Sequence, residues 1–480
     1  MIGITAAGAY IPRTRLNREA ILTANGWFNP ALRSLAKGTR ATCNWDEDAL
    51  TMAVEAARDC FGGEDRCGIG RIVLASTSLP FGDRQNAAVV AEALNLGGGI
   101  ASMDVTSSLR AGTSALAVAL ADSNPSLVVL SEHRQARAAS AGEMAFGDAA
   151  AAFLTGGGNV IAEFIGCHSV TVDLVDHYRA SQDRFDYGWE ERWARDEGIM
   201  KIMPAAIAAA LVKLALEPGA IARAVLPFDA ASNRRIAGKA GLREEVVADS
   251  LFAEMGNAGA AHPGVILADV LAAAAPGETI LVAGWGQGCD VIVLRTSDGI
   301  ARRPAGPGVR GHLARGRIEA NYNRYLAFNN LIEQEKGIRS ELDKQTAVSA
   351  LYRNRDMIVG FVGGKCSACG TVQFPRSNVC VNPNCGRFHT QEPHPMADAR
   401  ATVQSWTADH LTYSPDPPNH FGMVVFAEGG RLMMDFTDVG KGEVDVGTPL
   451  RLMFRIKDYD DRRGFRRYFW KAAPLSPAND

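Results

Sequence analysis

The sequence lacks several features that would assign a protein to a class at once. Acidic and basic residues nearly balance, at a net charge of −3 over 480 residues, so no global charge favours nucleic acid or an anionic membrane as a partner. No uncharged apolar run is long enough to cross a membrane, and the first residues lack the basic flank and apolar core of a signal peptide. We therefore expect a cytoplasmic protein with no membrane partner and no nucleic-acid partner.

Cysteine is also scarce, and its positions are unevenly distributed along the chain. The nine cysteines are odd in number and mostly scattered, which argues against a disulfide framework and favours a reducing compartment. Four of them form a C-x2-C-x10-C-x4-C pattern, in which each pair lies in a Gly- or Pro-containing turn: Cys366, Cys369, Cys380 and Cys385. Four thiolates satisfy a tetrahedral Zn²⁺ and leave no open position for water. The pattern predicts a structural zinc site, and a redox pair fits it poorly.

The chain is long enough for two or three domains with a large core, since 47% of its residues are hydrophobic and 21% are charged. The most informative stretch is residues 104–120, DVTSSLRAGTSALAVAL, where a short polar run after an apolar strand leads directly into a helix. Small side chains predict that this helix lies deep between other layers. Its first turn would direct backbone N–H groups and a positive dipole end at a thioester oxygen or a thiolate.

The RAGTSAL run resembles the nucleophile turn of the thiolase superfamily, in particular that of archaeal-type hydroxymethylglutaryl-CoA synthases. The DEDALTMAVEAAR helix of residues 46–58 is similar to the matching helix of the same enzymes. The residue before the basic one is an acylated cysteine in that family, whereas this sequence has Leu109, followed by Arg110. Leucine cannot be acylated, so a covalent acyl-enzyme at this position is excluded.

Other positions of the family also differ here. The family's general-acid glutamate corresponds to Thr77, which does not titrate near neutral pH. No histidine lies between residues 226 and 240, where the family has a catalytic one; Asp229 is the nearest titratable residue, or else a helix cap. Asn257 matches the asparagine that polarises a thioester carbonyl. His262, nearby, is either a new base or a core histidine.

Two further regions are interpreted through the resemblance. Residues 168–197 are polar and aromatic, and the corresponding region of the synthases covers the active-site mouth. It offers Asp176, His177, Tyr178 and Arg179 as substrate contacts, unless the segment is a charged surface loop. Trp27 and Arg40 loosely resemble the residues that hold CoA in ketoacyl synthases, the alternative being an exposed tryptophan beside solvated charges.

The resemblance implies a duplicated αβαβα five-layer thiolase-like α/β fold over residues 1–298, usually found as a homodimer. Residues 299–317 read as an exposed basic Gly/Pro linker and 318–358 as a helical connection. A zinc ribbon (359–395) and a small all-β OB-fold barrel (396–474) should follow. Together they resemble the acyl-CoA-associated OB-fold family known as domain of unknown function 35, whose members usually partner thiolase-superfamily enzymes. A partner enzyme of the same pathway is therefore conceivable for this chain.

These features imply an acyl-CoA substrate, with coenzyme A as part of it and structural Zn²⁺ as the cofactor. Three functions remain open. The first is an aldol or retro-aldol reaction of a 3-hydroxyacyl-CoA, with the enolate held by Asn257 and the helix start at residues 108–110. The candidate bases are His177, Tyr178, Asp229 and His262. The second is acyl transfer through Ser107 or Ser108, and the third is a non-catalytic CoA-binding scaffold.

Overall fold

The computed structural model describes residues 1–63, 65–302, 306–337 and 347–475. The chain divides into two compact units. The first contains Met1–Asn44, Asp48–Ala88 and Gly98–Tyr325, and the second contains Trp45–Glu47, Val89–Gly97 and the chain from Leu326 onward. Among the described residues, no helix combines the length and the apolar character needed to cross a bilayer.

The strands of the first unit are mostly short and buried. In chain order they are β1 (Ile2–Tyr10), β2 (Thr14–Asn17), β3 (Thr39–Ala41), β4 (Arg71–Ala75), β5 (Ala101–Val105), β6 (Ser126–Glu132), β7 (Ala149–Gly157), β8 (Ala162–Thr171), β9 (His177–Tyr178), β10 (Tyr187–Gly188), β11 (Arg223–Val225), β12 (Thr279–Trp285), β13 (Gly288–Thr296) and β14 (Arg317–Glu319). Nine of them form one mixed sheet in the order β11-β12-β13-β8-β1-β7-β6-β4-β5. β4 lies parallel to both β5 and β6, so the carboxyl ends of these three strands meet at one edge.

The helices up to residue 328 are α1 (Arg18–Asn25), α2 (Ala49–Phe61), α3 (Asn86–Ala93), α4 (Ala111–Leu120), α5 (Ala141–Ala145), α6 (Glu191–Trp193), α7 (Met200–Lys213), α8 (Ala230–Lys239), α9 (Phe252–Met255), α10 (His262–Ala273), α11 (Gly308–Ala314) and α12 (Tyr322–Phe328). Asp48 caps α2, so that helix begins later than its acidic residues suggested.

Helix α4 lies deep in the core beside α10, as its small residues predicted. A Cβ on Gly112 would stand 2.2 Å from the carbonyl oxygen of Ala260, so glycine is required for this close approach. The approach brings the start of α4 against the loop that precedes α10. Two loops of the duplicated fold therefore converge at one place.

The described parts of the segment predicted to be an exposed linker, residues 299–302 and 306–317, are instead folded into the first unit. The segment contains a 3₁₀ turn at Asp298–Arg302 and helix α11, and it ends in β14, which pairs in parallel with β2. Ile300, Val309 and His312 are buried within it. Apolar side chains spaced among the arginines hold the segment to the core, a feature that the Gly, Pro and Arg content obscured.

The predicted helical connection, residues 318–358, is broken into pieces. It starts as strand β14 and continues as α12; after a gap come α13 (Val348–Arg353) and α14 (Arg355–Ile358). Residues 338–346 lie outside the described part of the chain. Tyr322, Tyr325 and Leu326 of α12 are buried, so this short helix has one apolar face.

The second unit contains a ribbon and a five-stranded sheet, as predicted. The ribbon strands β15 (Val362–Cys366), β16 (Val372–Gln373) and β17 (Gln391–Pro395) pair in the order β16-β15-β17. The sheet strands β18 (Ala401–Asp409), β19 (Asn419–Phe426), β20 (Arg431–Asp435), β21 (Pro449–Asp460) and β22 (Phe465–Pro474) follow the order β20-β19-β18-β21-β22. A parallel bridge between Phe436 and Ala472 links the two outer strands.

Candidate functional site

The turn between β5 and α4 carries Leu109 and is fixed by a glycine from a distant strand pair. Ser108 Oγ donates a hydrogen bond to the carbonyl oxygen of Gly286, which lies between β12 and β13, at 3.0 Å. A Cβ on Gly286 would stand 2.4 Å from Ser108 Oγ and 2.9 Å from the backbone nitrogen of Leu109. Glycine at position 286 thus allows the two loops to touch. The resemblance places the acylated residue of the synthases in this turn, and here it holds leucine.

Arg110 belongs to the helix start that was predicted to contact the substrate. Its side chain instead binds neighbouring strands and holds the turn in place. Its guanidinium donates to Asp290 Oδ1 at 3.1 Å and to Thr171 Oγ1 at 3.0 Å. The other carboxylate oxygen of Asp290 accepts from Ser114 Oγ at 2.5 Å. The ion pair is largely buried, so it holds α4 to β13.

A buried carboxylate that the sequence analysis missed lies beside Thr77. Glu132, the last residue of β6, accepts hydrogen bonds from the hydroxyls of Thr77 (3.1 Å) and Ser78 (2.5 Å) and from the amide of Thr77 (3.2 Å). Its second oxygen accepts from the amide of Ala260 at 3.1 Å. All these partners can donate a hydrogen bond, so they suit the acceptor oxygens of a carboxylate. An acid that ends an otherwise apolar strand, LVVLSE, was the signal available in the sequence.

Asn257 lies in the loop that leads to this carboxylate. Its side-chain amide donates to the carbonyl oxygen of Pro227 at 2.8 Å, and its Oδ1 accepts from the amide of Gly259 at 2.8 Å. The next residue of the loop, Ala260, donates to Glu132. Glu132 and Thr77 are therefore hydrogen-bonded to each other, and the loop that carries Asn257 is attached to them through Ala260.

Two of the predicted residues form a His–Asp dyad. His177 Nδ1 and Asp176 Oδ1 are 2.9 Å apart, and Asp176 Oδ2 accepts from Trp285 Nε1 at 2.8 Å. Burial acts to raise the pKa of Asp176, but the hydrogen bonds and charge of His177 and the hydrogen bond from Trp285 outweigh it and lower the pKa. A carboxylate that accepts from Nδ1 leaves Nε2 as the basic nitrogen. Trp285 immediately precedes Gly286, so the dyad is connected to the Leu109 turn.

The rest of the predicted mouth segment forms a small hairpin over the same region. β9, which contains Tyr178, pairs with β10, and the rings of Tyr178 and Tyr187 lie 5.3 Å apart. Arg179 donates to the carbonyl oxygen of Thr77 and to Asp186 Oδ1, and Asp186 also pairs with Arg134. Arg179 therefore ties the hairpin to the Glu132 group.

Two other candidate bases, Asp229 and His262, have structural roles. Asp229 is the N-cap of α8: its Oδ1 accepts from the amides of Ala231 and Ser232. His262 is fully buried at the start of α10, where Nδ1 accepts from the amide of Ala258 at 3.2 Å. Burial lowers the pKa of His262 to about 4, so it stays neutral at pH 7.

The two predicted CoA contacts differ in exposure. Trp27 is 84% exposed and packs only loosely on Phe28, at 5.7 Å between ring centroids. Arg40 is 1% exposed; its guanidinium donates to the carbonyl oxygen of Glu143 at 2.6 Å and lies over the ring of Tyr325. This burial leaves the guanidinium of Arg40 no solvent-facing surface for a CoA phosphate.

The four ribbon cysteines have the geometry of a zinc site. Cys366 and Cys385 sulfurs are 3.9 Å apart, those of Cys369 and Cys380 are 3.6 Å apart, and all four lie within 4.8 Å of one another. Tetrahedral Zn²⁺ with bonds of about 2.3 Å separates its sulfur ligands by about 3.8 Å. The cysteines therefore fit a structural zinc ion that closes the ribbon.

Known proteins match both parts of the chain. Residues 360–389 match the family described as "ChsH2, rubredoxin-like zinc ribbon domain", and residues 394–455 match "ChsH2, C-terminal OB-fold domain". The hydroxymethylglutaryl-CoA synthase of Caldivirga maquilingensis is 26% identical over 352 residues, which cover 70% of this chain and 99% of the relative. The synthase of Archaeoglobus fulgidus is 28% identical over 350 residues, covering 69% and 100%.

Over most of its length, the chain is similar to hydroxymethylglutaryl-CoA synthases. A solved hydroxymethylglutaryl-CoA synthase complexed with CoA superposes with a TM-score of 0.60 at 17% identity, covering 72% of this chain and 95% of the other. The 3-oxoacyl-[acyl-carrier-protein] synthase III of Aquifex aeolicus superposes with a TM-score of 0.53 at 17% identity, covering 62% and 100%. The thiolase-like fold followed by a zinc ribbon and an OB-fold is thereby confirmed. The chain carries Leu109 in the turn that the resemblance assigns to the acylated cysteine.

Proposed function

We propose that this protein is an enzyme that acts on acyl-CoA thioesters and makes or breaks a carbon–carbon bond without an acyl-enzyme. The reaction we favour is the retro-aldol cleavage, or the reverse aldol addition, of a 3-hydroxyacyl-CoA. The observation that carries the proposal is the combination of Leu109 in the turn before α4 with a His177–Asp176 dyad connected to that turn through Trp285. The site holds a candidate base while it lacks the nucleophile.

The cleavage follows from these groups. His177 Nε2 accepts the proton of the substrate 3-hydroxyl as the C2–C3 bond breaks, and the oxygen on C3 becomes a carbonyl. The bonding electron pair moves to C2 and the thioester carbonyl, forming an enolate. The Asn257 amide and the positive end of α4 stabilise the enolate oxygen. Protonation at C2 by the histidinium then yields the shortened acyl-CoA and restores the base.

Other nucleophiles in this unit are poorly suited to acyl transfer. Ser108 Oγ already donates to Gly286. Burial raises the pKa of the Cys289 thiol to about 12, and it raises that of Cys60 as well. A thiol protonated at pH 7 is a weak nucleophile. These facts favour non-covalent chemistry over acyl transfer through Ser107 or Ser108.

We also propose a homodimer and a cytoplasmic location. β5 is an outer strand of the nine-stranded sheet, and Met103 on it is 39% exposed. An outer strand with an exposed apolar side chain is suited to pairing with a second copy. The described cysteines form no disulfide, which suits a reducing compartment.

The test is to incubate purified protein with 3-hydroxyacyl-CoAs of different acyl groups. Released aldehyde or ketone is trapped as a hydrazone, and the shortened acyl-CoA is followed by liquid chromatography and mass spectrometry. We expect both products in equal amounts and at least about 100-fold slower formation with His177→Asn, while His410→Asn on an exposed loop keeps full activity. A mass-shifted protein would replace the proposal with acyl transfer, and binding without turnover would replace it with the scaffold.

A further inference from the structure

A second group of metal-binding side chains lies in the first unit, apart from the ribbon. Cys43 follows β3, His133 follows β6 and Asp148 precedes β7. One potential ligand atom from each lies within 4.8 Å of the other two. His133 Nδ1 is 3.0 Å from Asp148 Oδ2, which also accepts from the backbone amide of Cys43 at 2.8 Å. Three elements that are distant in sequence thus deliver sulfur, nitrogen and oxygen to one point.

The group is almost closed to solvent and contains an unsatisfied oxygen. Cys43 is 2% exposed and Asp148 is 1% exposed. Among the described residues, Oδ1 of Asp148 has no hydrogen-bond partner, although Oδ2 has the contacts given above. A buried carboxylate oxygen with no donor is costly, and a bound cation would satisfy it.

Backbone contacts hold the three residues in place. The amide of Asp148 donates to the carbonyl oxygen of Ala41 at 3.1 Å, and the amide of His133 donates to Ser78 Oγ at 2.8 Å. Ser78 Oγ in turn donates to Glu132. The group is therefore preformed, and it lies one residue along the chain from the Glu132 carboxylate.

We propose that Cys43, His133 and Asp148 form a second Zn²⁺ site with an open fourth position. Thiolate, imidazole and carboxylate are the ligands that zinc prefers, and three of them with one open position are typical of sites that keep a water or substrate. One thiolate and one carboxylate carry two negative charges, which a divalent cation neutralises in the interior. The inference does not depend on the aldol reaction.

The competing explanation is a buried Asp148–His133 ion pair beside an inert thiol. Zinc content separates the two. The full-length protein is saturated with zinc sulfate under reducing conditions, desalted and analysed by inductively coupled plasma mass spectrometry. We expect two zinc ions per chain for the unmodified protein and one for Cys43→Ser, whereas Cys289→Ser, at another buried cysteine, keeps two.

His133→Gln provides a second variant, since this side chain is less buried than Cys43 and its replacement is less disruptive to folding. We expect the same loss of one zinc ion, with an unchanged circular dichroism spectrum. One zinc ion per chain in the unmodified protein would overturn the proposal. Two zinc ions retained in folded Cys43→Ser or His133→Gln would overturn it as well.

Discussion

Replacing Glu132 with glutamine tests whether the buried carboxylate organises the site. Glu132→Gln keeps the shape but turns one acceptor oxygen into an NH₂ donor. Every partner of Glu132 donates, and the amide of Ala260 reaches only the second oxygen, at 3.1 Å. If the NH₂ of the glutamine takes the place of that second oxygen, it faces the amide of Ala260, and both groups are donors. If it takes the other place, the hydroxyls of Thr77 and Ser78 can rotate, but the amide of Thr77, 3.2 Å from either oxygen, still faces a donor.

A hydrogen bond to a charged group contributes about 1.5–3 kcal/mol, so we expect a local loss of about 2 kcal/mol at the amide of Ala260 or of Thr77, according to the orientation of the NH₂. That loss corresponds to roughly 30-fold faster opening, because about 1.4 kcal/mol is a factor of ten. Hydrogen exchange measured by mass spectrometry on peptides covering residues 257–262 and 76–79 reports it. Glu217→Gln, at an exposed position, is the matched control. Exchange in both peptides within twofold of the unmodified protein would refute the role of Glu132.

Three further predictions follow from the site. His177→Asn should lower turnover by about 10²–10⁴-fold with little change in acyl-CoA binding, because it removes the general base. Steady-state kinetics measure the turnover and calorimetry measures the binding. Unchanged turnover would remove His177 from the mechanism. The folded-state pKa of His262 is about 4, below the value of about 6.5 in an unfolded chain. The unfolded state therefore binds more protons between these values, and the stability contribution present above pH 6.5 is lost as pH falls to 4. Melting curves should show a weaker pH dependence for His262→Gln over that window, with His410→Gln unchanged; equal slopes for His262→Gln and the unmodified protein would contradict the assignment. Cys369→Ser should abolish zinc binding at the ribbon and lower the melting temperature of the second unit, while exchange in the first unit is unaffected; retention of the ribbon zinc in this variant would contradict the four-cysteine site.

The zinc ribbon was predictable because its evidence is local in sequence. Four cysteines in two closely spaced pairs, each pair within one turn of the chain, identify the zinc ligands without knowledge of the fold. The turn before α4 was also predictable from local sequence, as a strand, a polar run and a helix rich in small residues, while its role was inferred from the resemblance. The close approach of Gly112 to Ala260 shows why those residues are small.

The partners of Glu132 and the composition of the Cys43 group could not be predicted, because both depend on contacts between elements that are distant in sequence. Glu132 accepts hydrogen bonds from Thr77 and Ala260, which are 55 and 128 residues away in the sequence. A single acid at the end of a strand has no spacing that predicts such partners. For the same reason Arg40 suggested a solvated phosphate contact, whereas the fold buries it against Glu143.

The arginine-rich segment of residues 299–317 illustrates the opposite error. Composition predicts a linker from many charged, Gly and Pro residues, but burial depends on which few positions face the core. Val309 and His312, three residues apart on α11, provide that face.

The most direct test of the central claim is a single quenched reaction of the protein with a 3-hydroxyacyl-CoA substrate, in which protein mass and products are measured at the same time points. The account predicts that the carbonyl fragment accumulates while the protein keeps its unmodified mass. Leu109→Cys, exposed to the corresponding acyl-CoA, should instead gain the mass of the acyl group at residue 109. An acyl group found on the unmodified protein, on any serine or cysteine, before the carbonyl product appears would contradict the account.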